Sequence, residues 1–353
     1  LDGGETWIEW RHGIPAAPVR ALIVHPRDHD LVAGTHGRAA YVLDDVRPLR
    51  ALSRDPELAS RDLHLFEPPP ALQVAIAERI GYRSTGHAMF FGENRAQGAL
   101  LSTWVGEALA GSTAEIQVID QAGEEIRTFE EPLEEGVTRF TWDLRRAPPA
   151  QEGGFFRARG ALALPGAYTV RIRAGDAVSE TTLSVLPDPR TEIPNARRLA
   201  KIEALEEAGG WLALSREAQD RVEAALQAVE QLLETLPGDE ANSALREAGD
   251  SLRDRLTQAL EDLFTGPSCQ GICGGNPVAA PIRVPLSKLG SSVDAPSPTD
   301  LLAMEQARAA LRQVVDEVNG LFAGPVAEFR RGLLDAGFTP FPVKEPLRIG
   351  GAW

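Results

Sequence analysis

The chain has 353 residues, of which 43% are hydrophobic and 25% charged, and its formal net charge at pH 7 is −15. This length favours two or three domains, and the composition excludes a disordered or fibrous protein. The acidic balance argues against nucleic acid and anionic membranes as partners, because both are polyanionic surfaces. The sequence also contains no basic block and no apolar run near the roughly 18–20 residues of a membrane span.

The first 45 residues consist mainly of short β-type runs. Residues 7–10 alternate apolar and polar side chains, as a half-buried strand does. Three further runs at residues 19–25, 30–36 and 39–45 predict strands separated by turns. Together they predict part of a sheet, and a chain that begins on Leu1 inside a motif is expected to have lost preceding residues.

The opening turn carries a recognisable motif. Asp2, Gly4, Thr6 and Trp7 follow the spacing Asp-x-Gly-x-Thr-Trp, which resembles the Asp-box turn of BNR-repeat β-propellers. The next segments resemble the last propeller blade of a bacterial group related to sortilin-type and sialidase-like proteins: residues 24–28, 34–38 and 43–45. This resemblance implies that the four motif residues hold a blade turn, that residues 1–50 are a blade remnant, and that an Ig-like sandwich and a helical tail follow.

The resemblance also implies a location and partners. Proteins of this group are secreted or periplasmic, and the missing N-terminal blades would be the partners of residues 1–50. A protein or peptide ligand is a further expected partner, since sortilin-type propellers bind ligands in their central tunnel.

Histidines are concentrated in this opening segment. The pair His25 and His29 has a spacing that metal sites use, but it falls in a Pro-Arg-Asp turn and not on a helix, where residues four apart share a face. A turn is therefore the preferred interpretation, and we predict no metal site. His36 and Arg38 are weak candidates for ligand contact at the end of a blade, with a turn held by Gly37 as the alternative.

Residues 51–97 are predicted to be a linker followed by an irregular segment, because they are rich in Pro and Gly. From residue 98 to residue 187 the period-two pattern returns, and it predicts an antiparallel sandwich of about 100 residues. The order of the strand motifs resembles the Ig-like fold of flagellar-hook-cap-type tail domains. The predicted strands are residues 99–105, 114–120, 125–129, 137–143, 165–172 and 178–185.

Residues 188–353 carry helical periodicity and predict a bundle of three or four helices. A Gly/Pro/Ser-rich loop over residues 265–295 is expected to interrupt it and to contain both cysteines, Cys269 and Cys273. These could form a disulfide, remain as thiols or bind metal, although two ligands cannot close a zinc site. The predicted helices are residues 196–207, 215–236, 242–264, 298–321 and 326–336.

The fold class predicted from these patterns is multidomain, β then α: a partial propeller blade, an Ig-like antiparallel sandwich and a C-terminal helical bundle. No catalytic constellation and no cofactor motif is evident. The leading hypothesis is a non-catalytic scaffold or docking portion of a secreted Asp-box propeller protein that binds a protein or another ligand. The alternative is the C-terminal part of a sialidase-like glycoside hydrolase, whose paired acids, Tyr nucleophile and Arg cluster would lie in missing blades.

Overall fold

The computed structural model describes residues 4–7, 9, 13–14, 16–74, 95–148, 160–238, 240–265 and 276–350. The chain divides into two compact units. A β unit comprises Leu1–Ala147 with Leu162–Glu192, and a helical unit comprises Pro148–Ala161 with Ile193–Trp353. The predicted order, β structure followed by helices, is confirmed.

The first sheet contains the strands β1 (Val19–Val24), β2 (Leu31–Thr35) and β3 (Ala40–Leu43), which pair as antiparallel neighbours in chain order. These agree with the three runs predicted between residues 19 and 45. The earlier predicted strand at residues 7–10 lies partly outside the described residues, and Trp7 and Glu9 have no strand conformation.

Two further sheets form most of the β unit. One has five strands in the order β5-β11-β10-β7-β8, and the other has three in the order β4-β6-β9. Only the β5–β11 pair is parallel among the strand pairs of the described residues. The strands are β4 (Leu63–Leu65), β5 (Ala71–Leu72), β6 (Ala99–Val105), β7 (Thr113–Ile119), β8 (Glu125–Pro132), β9 (Gly136–Trp142), β10 (Gly166–Ala174) and β11 (Ala177–Leu186).

These two sheets, called here the two-sheet region (β4–β11), share one hydrophobic core. Every second residue of β7 and β10 is buried, as the period-two pattern requires. The other sheet contributes Leu101 and Trp142, and the indole Nε1 of Trp142 donates to the carbonyl of Arg145 at 2.9 Å. Strands predicted from residue 99 onward agree with the structure to within a few residues.

The segment predicted as an irregular linker, residues 51–97, is more ordered than expected where it is described. Helix α1 (Arg47–Arg54) is followed by a 3₁₀ turn at Pro56–Ser60 and by strands β4 and β5. These strands pair with β6 and β11, partners that lie far along the chain. Strands of three and two residues carry too little local pattern to be recognised without those partners.

The helical unit contains five helices among its described residues, with a π-helical turn at Leu260–Thr265 after the second. Buried side chains from all five form a single core that includes Trp211, Leu256, Ile282 and Leu311. The helices are α2 (Asn195–Thr235), α3 (Ser243–Ala259), α4 (Ala279–Gly290), α5 (Pro298–Ala323) and α6 (Pro325–Asp335).

Two sequence predictions differ from the structure in this unit. Residues 196–236 were expected to form two helices, but α2 continues through Gly209 and Gly210 because Ala208, Gly209 and Trp211 are buried by packing, which outweighs a cost of about 1 kcal/mol per glycine. The loop predicted at residues 265–295 contains α4, whose apolar residues Ile282 and Leu289 share a buried face. Cys269 and Cys273 lie outside the described residues.

No helix in the described part of the chain combines the length and the apolar character needed to cross a lipid bilayer.

Candidate functional site

The residues of the opening motif form a local turn where they are described. Gly4 has a φ of +96°, a conformation that favours glycine, and the Nε1 of Trp7 donates to the Gly4 carbonyl at 2.9 Å. The Trp7 side chain is nevertheless 89% exposed. Thr6 is described and exposed, whereas Asp2 lies outside the described residues.

The first sheet exposes several large apolar side chains. Leu22 and Ile23 on β1 are 63% and 64% exposed, and Val42 on β3 is 58% exposed. Leu22 and Ile23 are neighbours in sequence, so they point to opposite faces of the sheet. Both faces of the β1 edge therefore carry apolar surface.

The two candidate ligand contacts, His36 and Arg38, lie in the turn between β2 and β3. Both side chains are exposed, and Gly37 between them has a φ of +77°. The hydroxyl of Thr35 donates to the Ala39 carbonyl at 2.6 Å and holds the turn closed. Neither candidate lines the cavity described below.

His25 and His29 have separate roles in the β1–β2 turn. The Nδ1 of His25 lies 3.2 Å from the backbone nitrogen of Asp28 and 3.0 Å from its carboxylate, so this ring nitrogen is engaged within the turn. His29 instead faces Arg50, with its Nδ1 3.3 Å from a terminal guanidinium nitrogen. Among the described residues, no group of three or more His, Cys, Asp or Glu side chains is arranged to hold a metal ion.

A buried carboxylate fixes the chain at the start of α1. Asp45 is only 2% exposed, and its carboxylate accepts from the Nε of Arg47 at 2.6 Å and from the Arg47 backbone at 3.2 Å. The backbone nitrogen of Asp45 donates to Asp30 at 2.9 Å, and Arg139 donates to the Asp45 carbonyl at 2.7 Å. Burial lowers the pKa of Arg139, and nearby Asp45 and Asp44 oppose that shift.

Helix α1 is held against the two-sheet region by one apolar face. Leu52 on α1, Leu58 and Phe66 form a small buried cluster against which Trp104 and Val137 pack. The arginines at positions 47, 50 and 54 recur at helical spacing, three and four residues apart, on a more exposed side.

This arrangement forms a cavity of about 360 Å³, called here the arginine cleft. Three arginines and one histidine line it, together with one carboxylate and two apolar residues. The lining residues are His29, Arg47, Arg50, Ala51, Arg54, Phe66 and Glu67. Sequence reasoning missed this site because it divided the segment between a blade remnant (residues 1–50) and a linker (residues 51–97). The signal that could have found it was the helical spacing of Arg47, Arg50 and Arg54, with Pro48 marking the start of a helix.

The helical unit has features of its own. A cavity of about 420 Å³ adjoins the π-helical turn, and its lining mixes both charge signs: Arg255, Gln258, Asp262 and Glu317 are among its residues.

On α2, Lys201 is 4% exposed, and its Nζ has no hydrogen-bond partner in the described structure. Burial lowers the pKa of Lys201, while Asp300 and Asp294 oppose that shift.

No known protein-family profile matches this chain, and a search of curated proteins finds no significant match.

Proposed function

We propose that the chain is the non-catalytic C-terminal scaffold of a secreted or periplasmic Asp-box propeller protein, and that the β1–β3 sheet is its docking surface for neighbouring propeller blades. The observation that carries this proposal is the exposed apolar surface on both faces of β1. A strand at the edge of a sheet, with unpaired backbone groups and apolar side chains, is a template for pairing with further β structure. A blade packed between others would cover this surface.

Side-chain contacts also support the other two parts of the resemblance, the Ig-like sandwich and the helical bundle. The hydroxyl of Tyr168 donates to the Leu164 carbonyl, four residues upstream, at 2.6 Å. A bond of this type is a hallmark of Ig-like sandwiches, as is a buried Trp in the core, and Trp142 packs edge-on against Tyr168 at 5.5 Å. These contacts support an Ig-like sandwich as a spacer behind the blade. The shared core of the five helices supports a C-terminal bundle.

The test compares the chain of residues 1–353 with the complete gene product by hydrogen–deuterium exchange. We expect the amides of β1 to be strongly protected in the complete product and to exchange faster in the shorter chain. Equal exchange of β1 in the two proteins would contradict the proposal.

A pair of variants sharpens this test. Ile23→Glu should leave the shorter chain folded, since Ile23 is 64% exposed, but should lower the Tm of the complete product by placing a charge in the blade interface. Val178→Glu, at a residue that is 50% exposed on β11, is the matched control and should affect both proteins equally. Hydrolase activity of the shorter chain would also contradict a non-catalytic role, and sialidase activity confined to the complete product would favour the glycoside hydrolase alternative.

A further inference from the structure

The arginine cleft offers hydrogen-bond donors in a concave setting. Arginine has only donors and no acceptor, and three arginines line the cavity beside His29. The guanidinium of Arg50 can only donate, so the Nδ1 of His29, 3.3 Å away, is the acceptor in that contact. The remaining ring nitrogen, Nε2, then carries the proton and is a further donor.

The cleft is also preorganised. The Nε of Arg47 is bonded to buried Asp45, which fixes the direction of the guanidinium and keeps its two terminal nitrogens as donors. His29 and Asp45 both have positive φ values, +59° and +44°. The carbonyl of His29 accepts from the backbone nitrogen of Val46 at 2.9 Å, which ties His29 to the residue that follows Asp45. Strained backbone of this kind is characteristic of ligand sites.

The charge of the lining determines which ligands fit. Arg47, Arg50 and Arg54 supply three positive charges against two carboxylates, Glu67 in the lining and Asp45, which pairs with Arg47. The cleft therefore stays positive in a chain whose net charge is −15. Metal cations would be repelled by these donors. A nucleic acid needs an extended basic surface. One eight-residue helix in a chain of negative net charge does not provide it. A compact anion with several acceptor oxygens satisfies the donors and the charge.

We propose that the arginine cleft binds a small ligand through an oxyanion, either a carboxylate or a phosphate group, with the guanidinium groups of Arg50 and Arg54 as its exposed contacts and Arg47 as the fixed one. Guanidinium groups match both oxyanions because they donate two parallel hydrogen bonds. Phe66, which is 4% exposed, provides an apolar wall beside the anion. This inference goes beyond the propeller proposal: no lining residue is on β1, β2 or β3, so the cleft does not use the surface proposed to dock other blades.

The experiment is calorimetric titration of the chain with inorganic phosphate and, separately, with succinate, at low ionic strength so that screening is weak. We expect saturable binding of at least one probe. Preference for phosphate would identify a phosphorylated ligand, and preference for succinate a carboxylate ligand. The double variant Arg50→Gln/Arg54→Gln removes both charges and keeps a similar helix propensity. It should weaken binding by about tenfold or more, because charge-assisted hydrogen bonds are lost.

Two controls make the result specific. Arg38→Gln removes an exposed arginine in the β2–β3 turn that does not line the cleft, and it should leave the affinity unchanged. Glu67→Gln removes the opposing carboxylate and should strengthen binding by a few fold, which a purely structural role for these residues would not produce. Circular dichroism verifies that each variant is folded. The proposal is overturned if neither probe binds saturably, or if the double variant binds as tightly as the unaltered chain.

Discussion

The β1–β3 sheet and the two-sheet region consist of similar strands but bury very different shares of their apolar side chains. Ile23 on β1 is 64% exposed, whereas Ile172 on β10 is fully buried. Among the described strand residues of the first sheet, only Ala33 is buried. The two-sheet region instead has a continuous hydrophobic core. The difference lies in the presence of an opposing layer, because a sheet buries a face only against another element.

The largest expected effect on stability comes from replacing Ile172 by alanine, and the same change at Ile23 provides the comparison. Ile172→Ala should destabilise the β unit by about 2–5 kcal/mol through lost burial and a residual cavity. Ile23→Ala should change the free energy of unfolding by less than about 0.5 kcal/mol. Urea denaturation of both variants measures the difference. Similar losses at the two positions would show that β1 is covered in solution.

A smaller effect is expected at the Tyr168 hydroxyl. Tyr168→Phe leaves the ring packed on Trp142 but removes the donor to the Leu164 carbonyl. Because that acceptor is left without its partner, we expect a loss of about 1–3 kcal/mol in the same denaturation experiment. Tyr41→Phe, at a partly buried residue of β3, is the matched control and should cost less. A larger loss of unfolding free energy in Tyr41→Phe than in Tyr168→Phe would contradict this prediction.

Alkaline pH tests the same tyrosine in another way. Burial raises the pKa of Tyr168 from 10.0 to about 12. The unfolded chain therefore loses this proton at lower pH than the folded chain, so the stabilisation is complete below pH 10 and decreases as the pH rises towards 12. Unfolding free energies measured across this range should show the decrease. In Tyr168→Phe the decrease should be smaller, because the ionisation of Tyr168 no longer contributes to it. An unchanged alkaline slope in that variant would contradict the assignment.

The smallest effect is expected at His64 on β4. Burial and, secondarily, Arg61 lower the pKa of His64 from 6.5, while Asp55 opposes the shift. The unfolded chain therefore binds this proton first as the pH falls, and stability should decrease below about pH 6.5 until the folded form is protonated as well. His64→Gln should flatten this part of the stability profile. His36→Gln, at an exposed turn residue, serves as the control and should preserve it.

The sequence predicted the strands and helices that have strong local periodicity. Strands β6 to β11 were predictable because alternating residues such as Ile116 and Val118 mark one buried face. The start of α5 was predictable for a similar reason, since Ser297 and Asp300 form a capping box at a Pro-initiated helix. The continuity of α2 through Gly209 and Gly210 was not, because core packing at Trp211 outweighs the local preference.

What the sequence by itself determined is therefore the order β then α and the positions of the longer elements, because hydrophobic period and capping residues are local properties of the chain. Only the tertiary structure decided which apolar faces are covered, as the contrast between Ile23 and Ile172 demonstrates. It also decided the arginine cleft, since His29 and Arg50 meet across 21 residues of sequence. Local patterns carry no information about such pairings, which depend on how distant segments pack.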